Sequence, residues 1–202
     1  MDFVRDYLSQ TAEIAARLDA GAIDKLATAL AGVRSRGGRL FVLGVGGGAG
    51  HAAHAVADFR KLAGLDSYAP TDHAPELTAR INDDGWDASL AAWLRGSRLA
   101  ARDAVLIFSV GGGDAERRVS VNLVNAVDYA KAVGASVLGV VGRDGGHTAR
   151  VGDAVVIVPT VDASRVTPHT EAFQAVVWHL LVTHPALALA KGKWESLTDA
   201  KA

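Results

Sequence analysis

The chain has no cysteine, so it can form neither disulfides nor a thiolate metal site, and its thiol content sets no redox compartment. It also lacks an excess of either charge: 21 Lys and Arg stand against 22 Asp and Glu, for a formal net charge of -1. The basic surplus that a general nucleic-acid or membrane-surface binder uses against phosphates is therefore missing. No apolar run approaches the roughly 20 residues of a membrane span. The opening MDFVRDYLSQ is charged within six residues and has no apolar signal core. These absences predict a cytoplasmic protein without nucleic-acid or membrane partners.

What is present is apolar and periodic. Half of the 202 residues are hydrophobic, enough for one domain with a sizeable core, residues 1–202. Residues 1–35 carry helical apolar spacing (Phe3, Leu8, Ile14, Leu18, then Ile23, Leu26 and Leu30 after Gly21) and read as two helices. Buried strands are expected at Arg39 to Gly44, Ala104 to Ser109, Ser136 to Gly142 and Ala154 to Pro159, with a brief one over Ser67 to Ala69. Helices are expected at Ala49 to Leu62, as two pieces between Pro75 and Ser97 joined at Asn82 to Gly85, at Ser120 to Val133, and at Pro168 to Val182. The strands are apolar throughout and alternate with helices. That pattern predicts a parallel sheet covered on both faces, an α/β core over 36–185, with a helical or frayed tail over 186–202.

In such sheets ligands bind beyond the carboxyl ends of the strands. Two strands end there in glycine loops that open helices, GVGGGAG after Leu43 and SVGGGDAERRVS after Phe108. Helix N-termini offer unpaired N–H groups and a positive dipole, and glycine lets a phosphate approach the backbone. Ser109 and Ser120 add hydroxyls, and Arg117 and Arg118 add charge. The spacing of Gly44, Gly46, Gly47 and Gly50 does not meet a dinucleotide fingerprint, and Asp66 precedes the second strand instead of following it, so no nucleotide cofactor is expected.

His54 and Asp58 are four apart and share a helical face, with His51 on the same side. Glu171 and His179 share a face of the last helix but stand about 12 Å apart along its axis. Two His and two carboxylates make a plausible Zn²⁺ set, although any one of them alone is more simply a packed side chain.

With these residues in view, the chain resembles the sugar-isomerase (SIS) domain family, and within it the phosphoheptose isomerases. The resemblance runs to about Pro185 and rests on GVGGGAGHAAHAVADF, INDDGW, FSVGGG, VVGRDGGHTA and EAFQAVVWHLL. Family members carry G-N-G-G-S after the first strand, S-T-S-G-N-S after the third and T-G-(K/R)-D-G-G after the fourth. The resemblance implies a three-layer sandwich around a five-stranded parallel sheet of flavodoxin-like order, and a homotetramer with sites at subunit interfaces. It implies isomerisation of sedoheptulose 7-phosphate, a phosphorylated seven-carbon sugar, to an aldoheptose 7-phosphate.

Carried over by position, the resemblance makes Asp58 and His179 the catalytic acid and base, and Glu171 is an alternative carboxylate partner for His179. It makes His54, Asp58, Glu171 and His179 the ligands of Zn²⁺ or another divalent metal. Gly46, Gly47, Gly48, Ser109, Gly111, Gly112, Gly113, Ser120, Asn82 and Asp83 become the substrate and phosphate contacts. Several positions depart from the family: Asp58 replaces a Glu, Glu171 a Gln and Gly48 a Ser, while Gly111 and Gly113 replace polar residues in a longer second loop. A non-catalytic SIS module that binds a sugar phosphate or associates with a replication initiator is the alternative.

Overall fold

The computed structural model describes residues 2–198. Two helices lead, α1 (Phe3–Arg17) and α2 (Ala20–Ser35), each opened by an aspartate whose carboxylate accepts a backbone N–H: Asp2 from Val4 and Asp19 from Ala22. Then follow β1 (Arg39–Gly44), α3 (Gly47–Ala63), β2 (Asp66–Tyr68), α4 (Ala74–Asp84), α5 (Trp86–Gly96), β3 (Ala104–Ser109) and α6 (Val121–Ala132). The chain continues through β4 (Ser136–Val141), α7 (Gly146–Val151), β5 (Ala154–Ile157), α8 (Val166–Thr183) and α9 (Lys193–Thr198).

All strand pairs are parallel, in the order β2-β1-β3-β4-β5. This is the parallel sheet covered on both faces that the apolar pattern predicts, in the five-stranded, flavodoxin-like order that the resemblance implies. Successive strand residues feed two separate cores, as the two-residue period of a strand requires. Leu40, Val42, Leu106 and Phe108 pack with α2, α3 and α8, whereas Phe41, Leu43, Val105 and Ile107 pack with α5 and α6. Both faces being covered explains why the strands read as unbroken apolar runs.

Three local readings shift. Helix α3 starts at Gly47, on the glycines themselves, because Gly46 takes a positive φ of 59° and turns the chain at once. Asn82 to Asp84 stay helical and the joint falls on Gly85, at φ 78°. The GRDGGHTA stretch holds a short helix, α7, that the glycines concealed. Of the tail expected over 186–202, the last four residues lie outside the described ones. Among the described residues, no helix is long and apolar enough to cross a membrane.

Candidate active site

The first glycine loop brings α3 down onto the sheet. A Cβ on Gly44 would collide with the Gly48 carbonyl, and one on Gly48 would lie 2.5 Å from the Phe108 oxygen. The N–H groups of Gly48, Ala49 and Gly50 bond within the turn, to Val45, Gly46 and Gly46. Over Gly47 sits the Glu171 carboxylate, its atoms 2.5 Å from where a Cβ would be. Glycine at 47 is thus what admits an anionic side chain to the helix N-terminus, where the dipole favours it.

The second loop is locked from behind. The Ser109 hydroxyl accepts the Gly112 N–H at 3.0 Å. The Gly112 carbonyl accepts both the N–H and the hydroxyl of Thr148, at 2.9 and 2.8 Å, and the Gly113 carbonyl accepts the His147 N–H at 2.9 Å. The loop and α7 lie backbone on backbone: a Cβ on Gly112 would strike the Gly145 oxygen, and one on Gly146 would strike that of Gly111. With its carbonyls tied to α7, the loop borders the cavity through Gly111 and Gly113. Beyond it, Asp114 and Val119 exchange two backbone hydrogen bonds of 2.9 Å and close a small hairpin. Asp114 accepts the Arg117 N–H at 2.9 Å and lies 3.6 Å from its Nε. Arg118 turns away to Asp87.

Between the loops opens a cavity of about 550 Å³. Gly48, Ser109, Gly111, Gly113 and Ser120 border it on the loop side, and Glu171 and Gln174 border it from α8. Arg117, Arg143 and Arg150 supply the cations, Asp114 and Asp144 further carboxylates. Ser120 holds φ 51° at the start of α6 and makes no side-chain cap bond, so its hydroxyl is free for the cavity.

Beside the cavity, α3 and α8 bring His54, Asp58 and His179 together, with one ligand-type atom of each within 4.8 Å of the others. Both His Nε2 atoms stand 3.5 Å from Asp58 Oδ2. His179 Nδ1 lies 2.8 Å from the Ala175 carbonyl, which can only accept, so Nδ1 donates there and Nε2 faces Asp58. Two imidazoles and a carboxylate converging in this way are a donor set that suits a divalent cation.

The predicted residues thus divide. His54, Asp58 and His179 meet, whereas Glu171 falls outside that group and sits at the first loop. Ser109, Ser120, Gly48, Gly111 and Gly113 border the cavity. Gly46, Gly47 and Gly112 do not, Gly47 because Glu171 covers it and Gly112 because its N–H is held by Ser109. Asn82 and Asp83 are exposed, bond to each other at 2.8 Å and take no part in the cavity. Gln174 escapes a sequence reading: fully buried, it accepts from His51 at 3.0 Å and donates to the Val140 carbonyl at 3.3 Å, which ties α3 to α8 behind the cavity. Arg143 enters the sequence reading only as a member of the third glycine motif, and Arg150 has no signal beyond being a cation shortly after it.

No protein-family model matches the chain. It is 30% identical over 188 residues to the lincomycin biosynthesis protein LmbN of Streptomyces lincolnensis, covering 88% of this chain and 66% of LmbN, just under two thirds of its length. It is 32% identical over 165 residues to the phosphoheptose isomerase of Sulfurimonas denitrificans, covering 79% of this chain and 77% of that one. Among solved structures, the phosphoheptose isomerase GmhA of Neisseria gonorrhoeae superposes with a TM-score of 0.76 at 23% identity, over 89% of this chain and 95% of GmhA.

Proposed function

Because the chain belongs to the phosphoheptose isomerase family, we propose that it interconverts sedoheptulose 7-phosphate and an aldoheptose 7-phosphate through an enediol, in heptose biosynthesis in the cytoplasm. One observation carries this reading. The helix pair α3 and α8 borders a cavity with an anion-suited glycine loop and also carries the convergent His54, Asp58 and His179.

The phosphate rests against the Ser120 hydroxyl and the N–H groups of Gly111 and Gly113. The carbonyl end of the sugar lies toward α8. There the Glu171 carboxylate takes a proton from C1 of the ketose and delivers one exchanged with solvent to C2, while the O1 hydroxyl proton passes to O2. Gln174, held by His51 and Val140, fixes the floor of the cavity behind that transfer. His54, Asp58 and His179, beside the cavity rather than in its lining, would hold Zn²⁺ or another divalent cation. Glu171 stands outside that ligand set and so keeps its oxygen free for the proton.

A homotetramer with sites at subunit interfaces belongs to the same reading. The cluster is open to solvent on one chain, with His54 and His179 side chains 59% and 52% exposed. Val176 and Leu180 flank His179 as exposed apolar neighbours.

The test is incubation of the purified protein with sedoheptulose 7-phosphate in deuterated buffer, followed by NMR. A new aldoheptose phosphate with deuterium at C2, absent with Glu171→Gln, is the expected result. Sugar phosphate that binds and never turns over would instead establish a binding module.

A further inference from the structure

The second loop lost side-chain polarity and kept its place in the fold. Where the resembling enzymes carry polar residues, Gly111 and Gly113 present bare backbone. The space above Gly111 is filled from elsewhere: the Arg143 Cδ lies 3.5 Å from where a Gly111 Cβ would be. Arg143 itself holds φ 54°, a left-handed conformation that costs a side-chain-bearing residue and persists where something fixes it. That backbone sends the guanidinium over the loop. Arg150, one helix further on, borders the same cavity.

The charges around the cavity are not equivalent. Arg117 faces Asp114 at 3.6 Å, and Asp144 accepts the Gly146 N–H at 3.2 Å. Neither Arg143 nor Arg150 has an ion-pair or hydrogen-bond partner among the described residues. Two unpaired guanidinium groups at the rim of a glycine loop, with the carboxylate of Glu171 on the opposite, α8 side, form a dipolar cavity. Guanidinium offers a planar fork that matches phosphate oxygens.

The geometry points to Arg143, seconded by Arg150, as the cation that binds the substrate's phosphate monoester, in place of the hydroxyls missing from the loop. This rests on the sugar-phosphate reading above and names the residues that decide it. Arg143 selects the phosphorylated sugar over the free sugar. Its strained backbone is the device that aims it. Gly111 is the gap that makes room for it.

The experiment measures calorimetric binding of sedoheptulose 7-phosphate, sedoheptulose and inorganic phosphate to the full chain. Arg143→Gly removes the cation and relieves the left-handed backbone, so loss of fold does not confound it. It is expected to weaken the phosphorylated sugar and phosphate by roughly ten- to a hundredfold and leave sedoheptulose unchanged. Gly111→Ser in the R143G background puts a hydroxyl into open space and is expected to restore part of the loss. Arg118→Ala, whose side chain points to Asp87, is the control and changes nothing.

Unchanged phosphate binding in R143G and in R143G/R150A overturns the inference, even if the wild type isomerises the sugar. A wild type that binds phosphate through Arg143 yet makes no aldoheptose phosphate sinks the isomerase reading and leaves this one standing. Equal weakening of all three ligands assigns Arg143 a purely structural role and also overturns it.

Discussion

The indole N–H of Trp178 donates to Asp58 Oδ2 at 3.1 Å, and that same oxygen faces His54 and His179. Trp178 is buried in the core and its ring packs against both imidazoles, with centroids 5.3 Å from His54 and 4.7 Å from His179. The carboxylate is therefore oriented from the interior outward. Trp178→Phe keeps the packing and removes the donor. It is expected to lower divalent-metal affinity by roughly ten- to a hundredfold, the usual cost of losing a group that orients a ligand. Zn²⁺ titration against a chromophoric chelator measures this, and an affinity equal to wild type would show that Asp58 needs no such support.

Asp58 and Glu171 are expected to separate in function. Asp58→Ala should abolish stoichiometric metal in protein purified without chelator, because it removes the anionic member of the cluster. Glu171→Gln should keep the metal and lose roughly a hundred- to ten-thousandfold in turnover, the range for removing a proton-transfer group. Metal analysis beside kinetics decides this. Metal lost in E171Q would return Glu171 to the ligand set that the sequence suggests.

The hydroxyls of Ser109 and Ser120 should also part company. Ser120→Ala keeps the Cβ, so the left-handed backbone is equally strained, and it removes a charged hydrogen bond of roughly 1.5–3 kcal/mol. Affinity for the phosphorylated sugar should fall about ten- to a hundredfold, with the unphosphorylated analogue unaffected. Ser109→Ala frees the Gly112 N–H that it holds, and should lower the melting temperature as well as the affinity. Thermal melts with matched binding curves distinguish the two.

Acid should weaken the fold partly through Asp103, at the entrance to β3. Burial pushes its carboxyl up, but hydrogen bonds from the Arg39 side chain and from the N–H groups of Arg39 and Ala100, with the Arg39 charge, outweigh this and hold it below the ordinary value. A carboxylate whose folded pKa lies below its unfolded one contributes stability above the unfolded value, about 3.9, and loses it as pH falls through the folded value. Asp103→Asn should cost about 2 kcal/mol at neutral pH, with the gap to wild type closing in strong acid. Urea melts from pH 7 to pH 2.5 test the sign; a constant gap contradicts it.

Oligomeric state is directly measurable. Only Ile14 is buried on α1, while Phe3, Val4 and Leu8 are exposed there, and Val176 and Leu180 are exposed on α8. Light scattering at micromolar concentration is expected to give a tetramer, and a monomer would contradict the interface reading.

Much of this was legible before any coordinates. The strands announced themselves because both faces of the sheet are covered, so no polar alternation interrupts Val105 to Phe108. The pairing of His54 with Asp58 followed from a four-residue helical step. Placing Glu171 with His179 did not follow: two turns of helix carry Glu171 to the glycine loop and leave His179 opposite Asp58. Helix α7 was hidden because Gly145 and Gly146 read as a turn, although their role is close approach to Gly111 and Gly112. Gln174 gave no signal, since the groups that satisfy it lie on α3 and β4, far off in sequence.

The Asp114–Val119 bridge has a consequence for how related chains can diverge. Its two hydrogen bonds fasten the neck of the hairpin, so residues 115–118 can be lengthened, shortened or exchanged without moving the glycines that precede them or the helix that follows. The glycines are frozen by the backbones they touch, whereas the hairpin tip is a replaceable cassette at the rim of the cavity. Of the four, Arg117 borders the cavity, so the charge and reach of that edge are open to change through the tip while the fold is spared.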